Sequence, residues 1–560
     1  MKCLAAADST LVRRVAPALL VAATFGHPSQ AATITVEIAS DDPAVASCTL
    51  RDAISAANAD SATGACPAGS GDDTIEFLPG LAGQTIVLDN TGAFENANVT
   101  GDLDVDDPDG DSLTITGPGA GDAASIVIDG NSADRVMQVA SPLALHNLTV
   151  RNGAGVNSGA GISTSSGGVL DLVDVVVSDN VADGGSGSAN GGGVFARASL
   201  TLDRAAITNN TVTSSGGSAI GGGLILQNTG GAAADLVIRD STIRDNSAMS
   251  ATGFAGGGGL RFQDLPGGML TLDDTVVSGN RATGMSGEGG GIEVVAGSAA
   301  ELRRVELSDN HVVTDGGSAD GGGIWSRHDT HLVNVTVSGN SAEDGTGGDV
   351  AGGGIRFFTA MLELDNTTVT NNEVVTSGTA GGSGVDAGSG TAVSRNTLIA
   401  GNAGGGTDCA GALESGGWTL MGDVHGCLFT SATGDLVGDS GGSGAIEPML
   451  GPLTDNGGAT RTHALMEGSP AIDAGNPNPV MDGTPPACPT SDQRGEPRPD
   501  DGDADGAAVC DIGAYEGVVT AASTGGGGGG GALTGRGLGL LALLVLCRVL
   551  GCACGEARRR

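Results

Sequence analysis

The chain has 560 residues, of which 101 are glycine and only 2% aromatic, so its cohesion must come from Val, Ile, Leu and regular backbone pairing instead of large ring cores. A net charge of −40, with Lys2 as the only lysine, excludes nucleic acid as a partner, because phosphate backbones demand clustered Lys and Arg. The acidic excess serves solubility and leaves divalent cations, calcium first, as the bound species to expect.

Residues 1–31 carry the three parts of an export signal. Lys2, Arg13 and Arg14 form a positive start, residues 15–25 are apolar, and Ser29-Gln30-Ala31 places small residues around a cleavage site. The mature chain is expected to begin near Ala32, in an oxidising compartment. Six cysteines of the exported body then fall in three sequence-local couples, and proximity pairs them as disulfides Cys48–Cys66, Cys409–Cys427 and Cys488–Cys510.

Residues 32–100 read as an N-terminal cap. In Cys48-Thr-Leu-Arg-Asp-Ala-Ile-Ser-Ala-Ala-Asn58 the residues Leu50, Ile54 and Ala57 recur at helical spacing, which predicts a short amphipathic helix. Cys48, Leu50, Arg51, Ala53 and Ile54, followed by Ala57-Asn58 and Asp73-Thr-Ile-Glu-Phe77, resemble the CSLREA motif of exported bacterial β-helix proteins; Thr49 and Asp52 depart from it. The resemblance implies that architecture and no chemistry.

An acidic run follows, with Asp102, Asp104 and Asp106 at alternate positions as a first calcium candidate. Within residues 101–405 the chain then repeats. A short β-branched run ends in Asn at Asn180, Asn210, Asn246, Asn280, Asn310, Asn340, Asn372 and Asn402, at intervals of 30 to 36 residues.

Counting back from each Asn, positions −10, −8 and −3 are aliphatic, as in Leu170, Leu172 and Val177 or Leu200, Leu202 and Ile207. Period two means strands, and the break in alternation between −8 and −5 means a bend. A third strand follows each glycine cluster, led by Val194, Leu224, Leu260, Ile292, Ile324 and Ile355. Three strands per turn, stacked at about 4.8 Å, make an all-β, right-handed parallel β-helix, the pectin-lyase-like solenoid, with the predicted helix as its N-terminal cap.

Surplus residues such as 183–193 are expected to form outward loops, and the Asn positions a structural ladder of amides at one corner that tolerates left-handed backbone. An earlier unit, with Leu143, Leu145, Leu148 and Val150, has its Asn152 one place early.

On the strand after each glycine cluster the second residue should face outward. That column contains Phe195, Ile225, Arg261, Glu293, Trp325 and Arg356, with Arg327 and His328 beside it. An exposed Trp among Arg and His can stack on a sugar, so Trp325, Arg327, His328, Arg261, Glu293 and Arg356 are the glycan-contact candidates. A solvated ladder that stabilises the coil is the simpler reading of the same column. Catalysis would need converging carboxylates, and spacing picks out no such pair.

Residues 406–517 read as a C-terminal cap. Leu450-Gly-Pro-Leu-Thr-Asp-Asn-Gly-Gly, Gly468-Ser-Pro-Ala-Ile-Asp-Ala-Gly475, Asp492-Gln-Arg-Gly495 and Cys510-Asp-Ile-Gly-Ala-Tyr-Glu516 resemble the choice-of-anchor Q region, which implies surface display. Within it Asp501, Asp503 and Asp505, then Gly506, form a second calcium candidate; Ile512 stands where a calcium loop of the EF-hand type carries its final Glu.

A glycine-rich linker, 518–537, leads to an apolar segment and three terminal arginines in 538–560. This ending resembles the GlyGly-type C-terminal sorting signal of Gram-negative bacteria, which implies a membrane stage, the export machinery and a sorting protease of the rhomboid type as partners. Arg548 and three cysteines within the tail depart from that pattern and leave open whether it is cleaved or kept.

The function expected is that of a noncatalytic protein at the bacterial surface or released from it, an adhesin or a matrix component contacting polysaccharide or host glycan. A polysaccharide lyase or glycoside hydrolase on the same solenoid is the alternative.

Overall fold

The computed structural model describes residues 31–519 apart from 93–95, 120–125, 298, 478–487 and 503–505. The export signal up to residue 30 and the tail from residue 520 lie outside the described residues, while Val518–Val519, read as the start of the linker, is a strand paired with Leu465 and Met466. Among the described residues no helix is long and apolar enough to cross a membrane.

The chain is a parallel β-helix. Three ladders of short strands form its core. Ladder I holds the strands after the glycine triplets, with Val194, Leu224, Leu260, Ile292, Ile324 and Ile355 in register. Ladder II stacks Leu170, Leu200, Leu236 and Leu270, and beside them Leu172, Leu202, Ile238 and Leu272. Ladder III stacks Val177, Ile207, Ile243, Val277, Leu307, Val337, Val369 and Ile399. These inward rungs are fully buried, as the period-two pattern requires.

Two further ladders complete each coil. Ladder IV follows the Asn and runs through eight strands, from Val181–Asp183 and Thr211–Ser214 onward; ladder V is a set of six short strands just before the glycine triplets, such as Ala189–Asn190 and Ala219–Ile220. The stretches expected to be outward loops are therefore partly sheet. They fold back on the solenoid and enclose small apolar clusters, one of Ala182, Ala189, Val212, Ala219 and Ala248, the next of Ala255, Ala282, Val312, Ala319 and Ala342. Alanine is small enough to let two backbone layers approach closely, and it buries too little surface to stand out as a hydrophobic rhythm.

The bends follow positive backbone angles. The residue six before each ladder Asn is left-handed, as at Arg204 with φ 51° and Asp274 with φ 47°, and so is the residue immediately before it, as at Asp245 with φ 56° and Asp309 with φ 54°. The left-handed corner thus belongs to the neighbour of the ladder Asn and leaves the Asn itself free to pair. In the early unit Asn152, φ 55°, takes that corner place, and Gly153 stands where the others have Asn. Where coils stack on the glycine triplets the backbones nearly touch. A Cβ on Gly290 would lie 2.4 Å from the Gly322 carbonyl oxygen, which is why the position carries no side chain.

The ladders run beyond the span where the repeat is visible in sequence. Thr33–Val36 already pairs with Asp73–Phe77, and Leu420–Met421 pairs with Leu436–Val437. The described residues between 446 and 519 then turn back as a strap along the outer face of ladder III. Arg461 pairs with Glu306, Ala514 N donates to Thr368 Oγ1 at 3.0 Å, and Asn396 Nδ2 donates to the Asp511 carbonyl at 2.9 Å.

The helix Leu50–Asn58 covers the first coil, with Leu50, Ile54 and Ala57 buried and Thr49 as its N-cap. Arg51 is buried with them. Its guanidinium grips Asp41 through two bonds of 2.7 and 3.0 Å and donates to the Gly101 and Asp102 carbonyls at 2.7 and 2.8 Å. This fork joins helix, entry segment and coil at one point. Arg51→Lys keeps the charge and loses the fork, so unfolding in urea is expected to show a loss of about 2 kcal/mol. Wild-type stability in that variant would mean the fork contributes nothing beyond its charge.

All three expected disulfides are present, with Cα separations of 4.7 Å for Cys48–Cys66, 5.4 Å for Cys409–Cys427 and 6.1 Å for Cys488–Cys510. Each staples a segment outside the regular repeat: the cap, the last coils and the strap.

Candidate functional site

The second-position column stacks as the alternation predicts, with Arg261, Glu293, Trp325 and Arg356 in consecutive register. Its exposure is the opposite of what was expected. Trp325 is only 2% exposed and Glu293 only 1%, because ladder V lies over this face of ladder I. A buried ring presents no face to a sugar, so Trp325 is not a stacking platform.

What the column builds is a covered ion network. Arg261 pairs with Glu293 at 3.0 Å, and Arg356 lies 3.4 Å from Asp320 and pairs with Asp386. The Arg327 guanidinium lies 4.7 Å from the Trp325 ring centre and 5.7 Å from that of Phe358. His328 Nε2 meets the Val295 carbonyl at 3.0 Å.

Spacing did not reveal that carboxylates gather here. Burial pushes Glu288 and Glu293 up to about 7, with their mutual repulsion adding to the shift of Glu288, and burial pushes Asp320 up to about 6. The signal was present at the place immediately before the glycine triplet. Glu288 and Asp320 both stand there and are in register in ladder V. The triplet turns the chain back, so that Asp320 meets Arg356 of the next coil.

The Asn ladder is continuous. Each side-chain Nδ2 donates to the Oδ1 of the Asn one coil on, from Asn180 to Asn210 at 2.9 Å through to Asn372 and Asn402 at 2.9 Å. Asn402 then donates to Asp408 Oδ1 at 2.9 Å, so eight aligned amides end on a carboxylate. At the other end Gly153 N donates to Asn180 Oδ1 at 2.8 Å.

The first calcium candidate does not converge. Asp102 pairs with Arg135 at 3.2 Å, Asp104 Oδ2 accepts from Asn98 N at 3.0 Å, and Asp106 is exposed. Asp102 and Asp104 are drawn to different protein donors, and among the described residues no group of three or more His, Cys, Asp or Glu is placed to hold a metal ion. Of the second candidate, Asp501 accepts from Gly506 N at 3.0 Å, while Asp503 and Asp505 lie outside the described residues.

An open surface lies elsewhere, on the outer face of ladder III. A groove of about 690 Å³ runs over Val176, Ala206, Thr208, Thr242, Arg244, Val276 and Ser278. The strap closes one end with Asp455, Thr460 and Arg461, where Arg461 is tied to Glu306. These groove residues occupy positions −4 and −2 from each ladder Asn, the outward half of the alternation whose inward half is Val177, Ile207, Ile243 and Val277. Its signal in the sequence is the coil-to-coil column at −2, where Ser178, Thr208 and Ser278 recur with Arg244 as the one charge among them. Compared with protein-family models, curated proteins and solved structures, the chain matches none.

Proposed function

We propose that this is an exported, surface-displayed β-helix without a catalytic role, and that it contacts a polysaccharide or host glycan through the groove over ladder III. The groove carries this reading. Its floor repeats small aliphatic groups and hydroxyls from coil to coil at about 4.8 Å, a pattern suited to a ligand that is itself a repeating chain. Arg244 stands in it as an exposed donor fork, its side chain 58% exposed. Glu306, the carboxylate at the closed end, is fully buried and engaged by Arg461 and Ser308, which fits a binding surface better than a reaction centre. The export-type N-terminus, the anchor-like region and the sorting-type tail support display, with the export machinery and a sorting protease as the partners on the way.

A glycan array probed with the mature chain tests the contact. Binding is expected, and Arg244→Glu combined with Thr208→Val should weaken it about tenfold or more while the melting temperature holds. Equal binding by the variant removes the groove from consideration. Protease shaving of intact cells should release fragments of the β-helix, and a chain that is never accessible from outside argues against display.

A further inference from the structure

Beneath the strap, Thr336 Oγ1 donates a hydrogen bond to Gln493 Oε1 at 2.7 Å, joining residues 157 apart in the chain. Thr336 is 0% and Gln493 1% exposed. The carboxamide is held from its other side, because its Nε2 donates to Thr460 Oγ1 at 2.9 Å and to the Arg461 carbonyl at 3.2 Å. With a C=O bond of about 1.23 Å, a hydroxyl so placed lies no more than about 3.9 Å from the amide carbon. Held there away from solvent, hydroxyl and acyl carbon stay within reach of each other, and closing to about 3–3.5 Å would supply the high effective concentration that drives acyl transfer within a molecule.

Further polar groups lie beside them on ladder III. Ladder III sets Glu306, fully buried, in register with Thr336. Two residues along the same strand Ser338 Oγ meets His463 Nε2 at 2.8 Å, while His463 Nδ1 faces the Gly451 carbonyl at 2.7 Å. The carbonyl fixes the proton on Nδ1 and leaves Nε2 as the acceptor. Strap and ladder thus enclose a hydroxyl and a carboxamide in one buried seam, with the His463 imidazole as a base on the neighbouring strap strand.

We propose that Thr336 and Gln493 join as an intramolecular ester that locks the strap to the solenoid. The Thr336 Oγ–Gln493 Cδ bond forms, the Cδ–Nε2 bond breaks, and the hydroxyl proton leaves with the nitrogen as ammonia. Nothing is oxidised or reduced, and no co-reactant is required. This lock is independent of the glycan reading.

Mass spectrometry of the mature full-length chain, reduced and denatured, tests it. The intact mass is expected to fall one ammonia, about 17 Da, below that of the sequence. Trypsin should yield peptides 328–356 and 462–494 as one joined species, which mild alkali separates. Thr336→Val and Gln493→Glu should each restore two separate peptides, and Ser338→Ala should keep the link. Wild-type protein with its full sequence mass and no joined peptide overturns the proposal, whether or not either variant folds.

Discussion

Replacing Asn310 by alanine is expected to cost about 4 kcal/mol or more in equilibrium unfolding, although the residue touches no groove, cap or strap. Its Oδ1 accepts from Asn280 N and Nδ2 at 3.1 and 2.9 Å, and its Nδ2 donates to the Val277 carbonyl and to Asn340 Oδ1, both at 2.9 Å. Alanine removes these four bonds and leaves the Asn280 donors and the Val277 carbonyl facing a space with no solvent. Each buried group so orphaned costs about 1–3 kcal/mol. The ladder is also polarised, since every amide points its donor toward Asp408, so a break in the middle severs a cooperative chain. Asn402→Ala, made at the partly exposed end of the ladder, should cost about half as much. Urea unfolding of both variants measures the difference. Equal small losses, under about 1 kcal/mol, would mean that the ladder merely accompanies the coil.

The second large effect is on pH dependence. Glu293 is buried against ladder V, and its carboxyl is pushed up to about 7 from an ordinary 4.5. Because the folded value lies above the unfolded one, the fold favours the protonated form. The associated stability is present in full below about pH 4.5 and is lost as pH rises through about 7. For Glu293 alone that difference amounts to roughly 3 kcal/mol. Glu288, at about 7, and Asp320, at about 6, act in the same sense. The groups facing Glu293 are Arg261 on its own ladder, Glu288 on ladder V and Arg327 on the following coil. Asp344 is opposed by burial but held well below the carboxylate range by N–H groups of Gly348, Gly316 and Thr346, so its contribution is lost only in stronger acid.

The melting temperature is therefore expected to climb as pH falls from 8 to about 5. Glu288→Gln with Glu293→Gln should flatten that slope while keeping the shape of both side chains. A wild-type profile that is flat or falls across this window would show that the network is solvated, and with it that ladder V does not cover this face.

Sequence and tertiary structure divide the account of this molecule along a physical line. A strand's inward face is written locally, because every second residue must be apolar for the coil to bury it; Leu170, Leu172 and Val177 announced their ladders for that reason. The three cysteine couples were legible because each pair closes a short loop, and the capping helix because Leu50, Ile54 and Ala57 share one face. Arg51 carries no local signal beyond the motif it belongs to, and its role as the clamp on Asp41 depends on the fold.

What a face meets is not a local property. Trp325 stands at an outward place on its strand, yet ladder V covers it, and the buried column of ladder V runs through Ala189, Ala219, Ala255, Gly287 and Ala319, whose burial leaves no rhythm to read. The strap's grip on ladder III joins residues more than a hundred positions apart, so neither Glu306 nor Gln493 could signal its partner from its own neighbourhood. The amino-acid order by itself determined the solenoid, its register and its staples, since those depend on side-chain period and short loops. Which outward face stays open, and which is sealed into an ion network or an acyl seam, was decided by long-range packing alone, because exposure depends on what the rest of the chain lays over it.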